Sequence, residues 1–212
     1  MKRVIGFWLV FGVLILAGCK ELSGAVNPSD EYEGAELTGP APDFDLVDQN
    51  NERVRLSDYR GKIVVLTFME SRCQEICPLT ANELRKAHQA LGNNGNSVVF
   101  IAINVNVEAN KTEDVSEATR KWHLDEIPNW HFLTGTEAKL KPAWEAYGVA
   151  VAAHTNEGEE IMHSPGVFLI DEEMRQVRYI SVPTDQEGVP QLASSLSELI
   201  VKQVQILLES RK

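Results

Sequence analysis

The chain is 212 residues long and carries 31 acidic against 20 basic side chains, a formal charge of -11. So acidic a composition excludes a nucleic-acid-binding role and a polybasic membrane footprint. From Pro40 onward about 170 residues remain, the length of one domain with a full core, and no internal repeat or low-complexity tract interrupts them.

The chain opens MKRVIGFWLVFGVLILAGC, a short basic segment and an apolar run that ends in small residues and a cysteine. This is the layout of a secretory signal, and Leu16-Ala17-Gly18-Cys19 resembles the lipobox of bacterial lipoproteins. Residues 1–18 are expected to be a signal peptide, and Cys19 the acylated first residue of the mature protein. The competing reading is an uncleaved anchor, for which Val4 to Gly18 is short. Either way the remainder is placed at the cell membrane, facing its extracytoplasmic side. Residues 19–39, rich in Glu, Ser, Gly and Pro, read as a flexible lipid-anchored tether, and 40–212 as the folded domain.

Within the domain, Asp43 to Val47 alternates as a strand does, and Arg53 to Leu56 follows a turn at Gln49, Asn50 and Asn51. Ile63 to Met69 is continuously apolar, which predicts a strand covered on both faces. Pro78 suits the first position of a helix, because it lacks an amide that would go unpaired there. That helix is predicted to reach Leu91, with Leu79, Leu84, Ala87 and Leu91 on its buried side and Gly92 ending it. A second buried strand, Val98 to Val105, follows. Helices near Glu113 to Trp122 and Glu137 to Tyr147 flank a strand at Trp130 to Leu133. A strand pair, Gly166 to Asp171 and Gln176 to Ser181, precedes a last helix from about Pro190 to Glu209. Strands alternating with helices define an α/β sandwich, and this order resembles the thioredoxin fold: a central mixed sheet with flanking helices. Such an order supplies a fold and not a function. Trp122, Trp130 and Trp144 are expected in packing positions.

The chemistry concentrates in FMESRCQEICPLT, where Cys73 and Cys77 form a C-x-x-x-C-P. Two thiols four residues apart at a helix start share one face, with Cβ atoms about 5 to 6 Å apart. They can close a disulfide or, as thiolates, hold one soft metal ion. With Cys19 assigned to lipid, the two have no competitor for pairing. Thiols outside the cytoplasm tend to oxidise, so the pair is read as redox-active or metal-bound. A purely structural bridge over so short a loop would constrain little of the unfolded chain.

A copper site built on two soft sulfurs wants a third donor. His163, in IMHSPGVFLID before an apolar strand, is the leading candidate among five histidines. His88, His123, His131 and His154 are read as ordinary surface or partly buried residues. CQEICPLT and HSPGVFLID, with FLTG at 132–135 and AYGV at 146–149, resemble the Sco (SenC/PrrC) family of copper chaperones from about Gly39 onward. The resemblance implies a thioredoxin-like fold and copper, as Cu(I) or Cu(II), held by Cys73, Cys77 and His163. It also implies tethering outside the cytoplasmic membrane and a part in assembling the copper centre of cytochrome c oxidase. Subunit II of that oxidase, or a protein that donates copper, would be the partner.

One departure concerns INVNVEAN, where Asn106 and Val107 stand in place of the family's usual Asp-Pro, so a carboxylate that would orient a ligand is missing. Pro165, three residues before Phe168, resembles the cis-proline of thioredoxin-like reductases, which predicts a cis Ser164-Pro165 bond. The alternative function is a thiol-disulfide oxidoreductase that reduces the cysteines of an oxidase or cytochrome partner. The wider C-x-x-x-C spacing and an idle His163 weigh against it. A peroxiredoxin ranks lower still, because Glu70 and Ser71 occupy the approach to Cys73. The acidic run Glu157, Glu159, Glu160 reads as a solvated loop.

Overall fold

The computed structural model describes residues 34–152, 162–163, 166–181 and 195–210, all within one compact unit, Tyr32–Lys212. The signal segment, His154, the acidic run and the Ser164-Pro165 bond lie outside the described residues. No helix among the described residues is long and apolar enough to cross a membrane.

Among the described residues, ten strands and four α-helices follow one another. The strands are β1 (Ala35–Glu36), β2 (Asp45–Val47), β3 (Arg53–Arg55), β4 (Ile63–Met69), β5 (Val98–Asn104), β6 (Trp130–Leu133), β7 (Val151–Ala152), β8 (Met162–His163), β9 (Val167–Ile170) and β10 (Gln176–Ile180). The helices are α1 (Ile76–Leu91), α2 (Thr112–Lys121), α3 (Glu137–Ala146) and α4 (Leu196–Glu209). Six strands form a mixed sheet in the order β1-β10-β9-β4-β5-β6, while β2-β3 and β7-β8 are separate two-stranded ribbons. β5 runs parallel to β4 and β6, whereas β9 is antiparallel to both β4 and β10.

Every residue of β4 and of β5 is buried. Successive side chains of a strand point to opposite faces, and β4 divides accordingly. Ile63, Val65 and Met69 join a core with α1, α2 and α4, while Val64, Leu66 and Phe68 join a second core with the β2-β3 ribbon and α3. The continuous apolar run is therefore the signature of two cores meeting in one strand. All three tryptophans of the folded domain are buried, as their positions predicted.

Two expectations are corrected. α1 begins at Ile76, so Pro78 is its third residue, and Leu79 is 62% exposed. At 100° per residue Leu79 lies about 140° from Leu84 on the helix wheel, and the stripe that faces the sheet is Cys77, Ala81, Leu84, Ala87 and Leu91. Gly92 does end the helix, with a left-handed φ of 52°. Residues Ala35–Glu36, in the stretch read as tether, instead pair with Tyr179 and Arg178 of β10.

Both edges of the sheet are covered. Beyond β1, Leu37 N donates to Val177 O at 3.1 Å and Gln176 N to Gly39 O at 3.0 Å. At the other edge Val47 and Thr134 exchange backbone hydrogen bonds. The Gln49 side chain then takes the place of a strand: its Nε2 donates to Trp130 O at 3.1 Å and its Oε1 accepts from Phe132 N at 2.7 Å.

The helix phase gives a direct check. Leu84→Ala should lower stability by about 2–5 kcal/mol in urea unfolding, whereas Leu79→Ala should stay within about 0.5 kcal/mol of the parent. Equal losses would contradict this orientation of α1.

Candidate metal centre

β4 ends at Met69, and the next six residues carry the chain to α1. Ser71 N donates to Asn104 Oδ1 at 3.3 Å, and Ser71 Oγ to Ala109 O at 2.9 Å. Cys73 N donates to Glu70 O at 3.2 Å. This loop is thereby fastened to the end of β5 before the helix starts.

Cys73 lies in the loop, three residues ahead of Ile76, so the two cysteines do not share a regular helical turn. They meet by a different device. The amide of Cys77, second residue of α1, donates to Cys73 Sγ at 3.2 Å. The nominal cap, Glu75, makes no side-chain cap bond, and the Cys73 sulfur serves an amide that otherwise would lack an acceptor. Both cysteines are buried, at 3% and 1% exposure, and unbridged.

The electrostatics favour a proton on Cys77. Its hydrogen bond with Cys73 pushes the thiol well above its ordinary value of 9.0, burial and the Cys73 charge push it further, and a Glu70 backbone hydrogen bond opposes them. At Cys77 a buried sulfur neighbour thus outweighs the helix N-terminus, which by itself favours a thiolate.

Beneath the loop is a buried polar cluster that the sequence did not disclose. Asn104 Oδ1 accepts from Ser71 N and Asn106 N, and its Nδ2 donates to Asn106 O at 3.1 Å and Ala109 O at 2.7 Å. Asn106 Oδ1 accepts from Glu108 N and Ala109 N, while Asn106 Nδ2 donates to Glu70 Oε1 at 2.8 Å. A carboxylate is thus present beside the cysteines after all, on Glu70 rather than at position 106. Its only sequence signal was polarity placed directly after a fully buried strand.

His163 is half-buried on β8, where it pairs with Val151. Among the described residues no group of three or more His, Cys, Asp or Glu side chains is placed to hold a metal ion. The structure brings the two sulfurs together. The start of β9 is held by Thr67 Oγ1, which donates to Gly166 O at 2.9 Å. Gly166 admits no side chain, because a Cβ there would meet the Tyr179 ring at 2.4–2.5 Å.

Of the other histidines, His123 is exposed and His88 packs edge-on against Phe100. His131 is more than an ordinary strand residue. Its Nδ1 lies 3.0 Å from Oδ2 of the fully buried Asp48, and its Nε2 lies 2.8 Å from the Tyr59 hydroxyl. Burial pushes the Tyr59 hydroxyl up to about 12. This chain pins β6 to the segments on either side of β3.

A mixed sheet between helices, with a dithiol where the first long strand passes into a helix, defines a thioredoxin-like dithiol protein. Comparison narrows the class: the SCO1/SenC family model matches residues 33–199, and the chain belongs to that family. A SCO2-like protein of Rickettsia prowazekii is 24% identical over 197 residues, covering 91% of this chain and 92% of the relative. The copper-bound ScoI of Arabidopsis thaliana superposes with a TM-score of 0.66 at 22% identity, over 81% of this chain and 99% of that one. BsSco, a member of the Sco family of cytochrome c oxidase assembly proteins in which a disulfide switch was identified, gives 0.60 at 18% identity, over 82% and 96%.

A pH dependence follows from Cys77. The folded chain holds this proton more tightly than the unfolded chain, so the stability is fully present below the unfolded thiol value and is lost as pH rises above it. Urea midpoints of the reduced protein should be flat to about pH 8.5 and fall above about pH 9. Cys77→Ala should reduce that fall, and a midpoint that rises there would contradict the arrangement.

Proposed function

We propose that this domain is a copper-binding metallochaperone that helps assemble the copper centre of cytochrome c oxidase. The observation that carries the reading is the meeting of two buried, unbridged sulfurs at the start of α1. Adjacent soft donors suit copper better than a hard cation. Family membership supports it, as does the copper bound to the Arabidopsis relative.

In this reading Cys73, Cys77 and His163 are the ligands, and His163 joins the sulfurs when the ion is bound. Two thiolates and a neutral imidazole leave one negative charge on the site with Cu(I) and none with Cu(II). The proton on Cys77 departs as the ion enters, so uptake releases protons and strengthens with pH. Cys19 carries the lipid that keeps the domain outside the cytoplasmic membrane. There it would meet subunit II of the oxidase or a copper donor protein.

The same unbridged pair is what a thiol-disulfide oxidoreductase needs, and one experiment separates the readings. Cu(I) titration of the reduced full-length protein in detergent should show one tight equivalent, lost in Cys73→Ser and Cys77→Ser. His163→Ala should weaken it by more than the roughly 10- to 100-fold that losing an outer-shell partner costs. Unchanged affinity in His163→Ala, with rapid reduction of a protein disulfide, would favour the oxidoreductase. For the anchor, Cys19→Ser should move the protein out of the membrane fraction; retention there would indicate an uncleaved span.

A further inference from the structure

The copper reading leaves the buried carboxyl side chain of Glu70 without a task. Glu70 is 6% exposed, directly follows β4, and accepts the Cys73 amide on its backbone carbonyl. Its carboxylate is held from the far side by Asn106. The orientation of that amide is dictated: Asn106 Oδ1 is occupied by the Glu108 and Ala109 N–H groups, at 2.8 and 3.0 Å. Nδ2 must therefore face Glu70, and an NH₂ group can only donate. Glu70 Oε1 is the acceptor, at 2.8 Å. Asn106 is in turn fixed by Asn104, whose amide spans the ends of the cysteine loop and of the loop after β5. This is a cradle of mutually oriented amides, one of which donates to a single Glu70 oxygen, and Glu70, Asn104 and Asn106 are all buried.

We propose that Glu70, oriented by Asn106, is a positioning residue for the bound metal: its carboxylate fixes a negative charge behind the cysteine sulfurs and favours the doubly charged copper ion over the singly charged one. The inference rests on the copper reading above. Glu70 acts through its field and not as a ligand, with its Oε1 engaged by the Asn106 amide. Its charge lies next to the pair, for Glu70 O accepts the Cys73 amide at 3.2 Å. The added charge of Cu(II) interacts with the carboxylate across a buried region where screening is weak. A unit charge several ångströms away in such a medium changes the ratio of the two affinities by about tenfold or more.

The test measures Cu(I) and Cu(II) affinities, by chelator competition, for the full-length protein and its variants. Glu70→Gln keeps the shape and removes the charge. It should lower the ratio of Cu(II) to Cu(I) affinity about tenfold or more, with Cu(I) affinity falling by a comparable factor and Cu(II) affinity by more than both. Glu70→Gln/Asn106→Asp returns a carboxylate to the same cradle and should restore most of the ratio. A purely structural role would not be rescued in this way. Should Glu70→Gln not fold, Glu70→Met fills the same space without charge and reads the same ratio. An unchanged ratio in a folded, copper-binding Glu70→Gln or Glu70→Met protein overturns the proposal while the copper reading stands. A double variant that stays at the Glu70→Gln ratio overturns it as well. Failure of the parent protein to bind either ion overturns the copper reading itself, and the proposal with it.

Discussion

The pairing of β4 along both its sides governs the rest of the molecule. Parallel bonds to β5 and antiparallel bonds to β9 leave this strand no freedom of register, because slipping by one residue would exchange its contributions to the two cores. With β4 fixed, the position of Glu70 is fixed, and four residues after Met69 comes the first sulfur. The helix that follows must then start where its buried stripe meets the same core, which places Cys77 against Cys73. Precision at the dithiol is inherited from a strand that is fully buried and paired on both sides, in keeping with functional groups set on rigid elements.

Burying polar groups beside this pair is costly unless each finds a partner. Ser71, Asn104, Asn106 and Glu70 meet that condition collectively, through backbone groups of the loop after β5. The cluster joins the ends of the two central parallel strands, the place where open α/β sheets hold their ligands. Its members orient one another, so replacing one disturbs the others. The substitution of Asn for an expected acid at position 106 thus reads as a relocation of charge within a connected group and not as a loss.

Elements whose signal is local were legible in the sequence. The bounds of β4 and β6 coincide with their apolar runs, and β5 differs only at Val105, because apolar continuity and strand burial are the same fact at those positions. The start of α1 was misplaced because the proline rule assumes a cap from the preceding residues, whereas the acceptor here is a sulfur from farther back. Leu79 was misassigned separately, by counting an apolar residue that lies off the wheel position of the buried stripe. The pair Cys73 and Cys77 was legible as a motif; the bond between Asn106 and Glu70 was not, because its ends lie 36 residues apart and an amide has no pattern of its own. The Asp48-His131-Tyr59 chain was missed for the same reason, with 83 residues separating the first two. β1 is two residues long and had no periodicity to show.

The coverage of the sheet edges has a consequence wherever protein concentration is high. An open strand is a template for any other extended chain, including a second copy of itself or a protein that has not yet folded. One edge here is shielded by a two-residue strand from the N-terminal arm, and the other by a single glutamine amide that answers both hydrogen-bonding groups of β6. Neither shield offers a long row of unpaired groups in its turn. The sheet is closed to recruitment by neighbours at little expense in chain length, and contact with other proteins is left to the loops and helix ends.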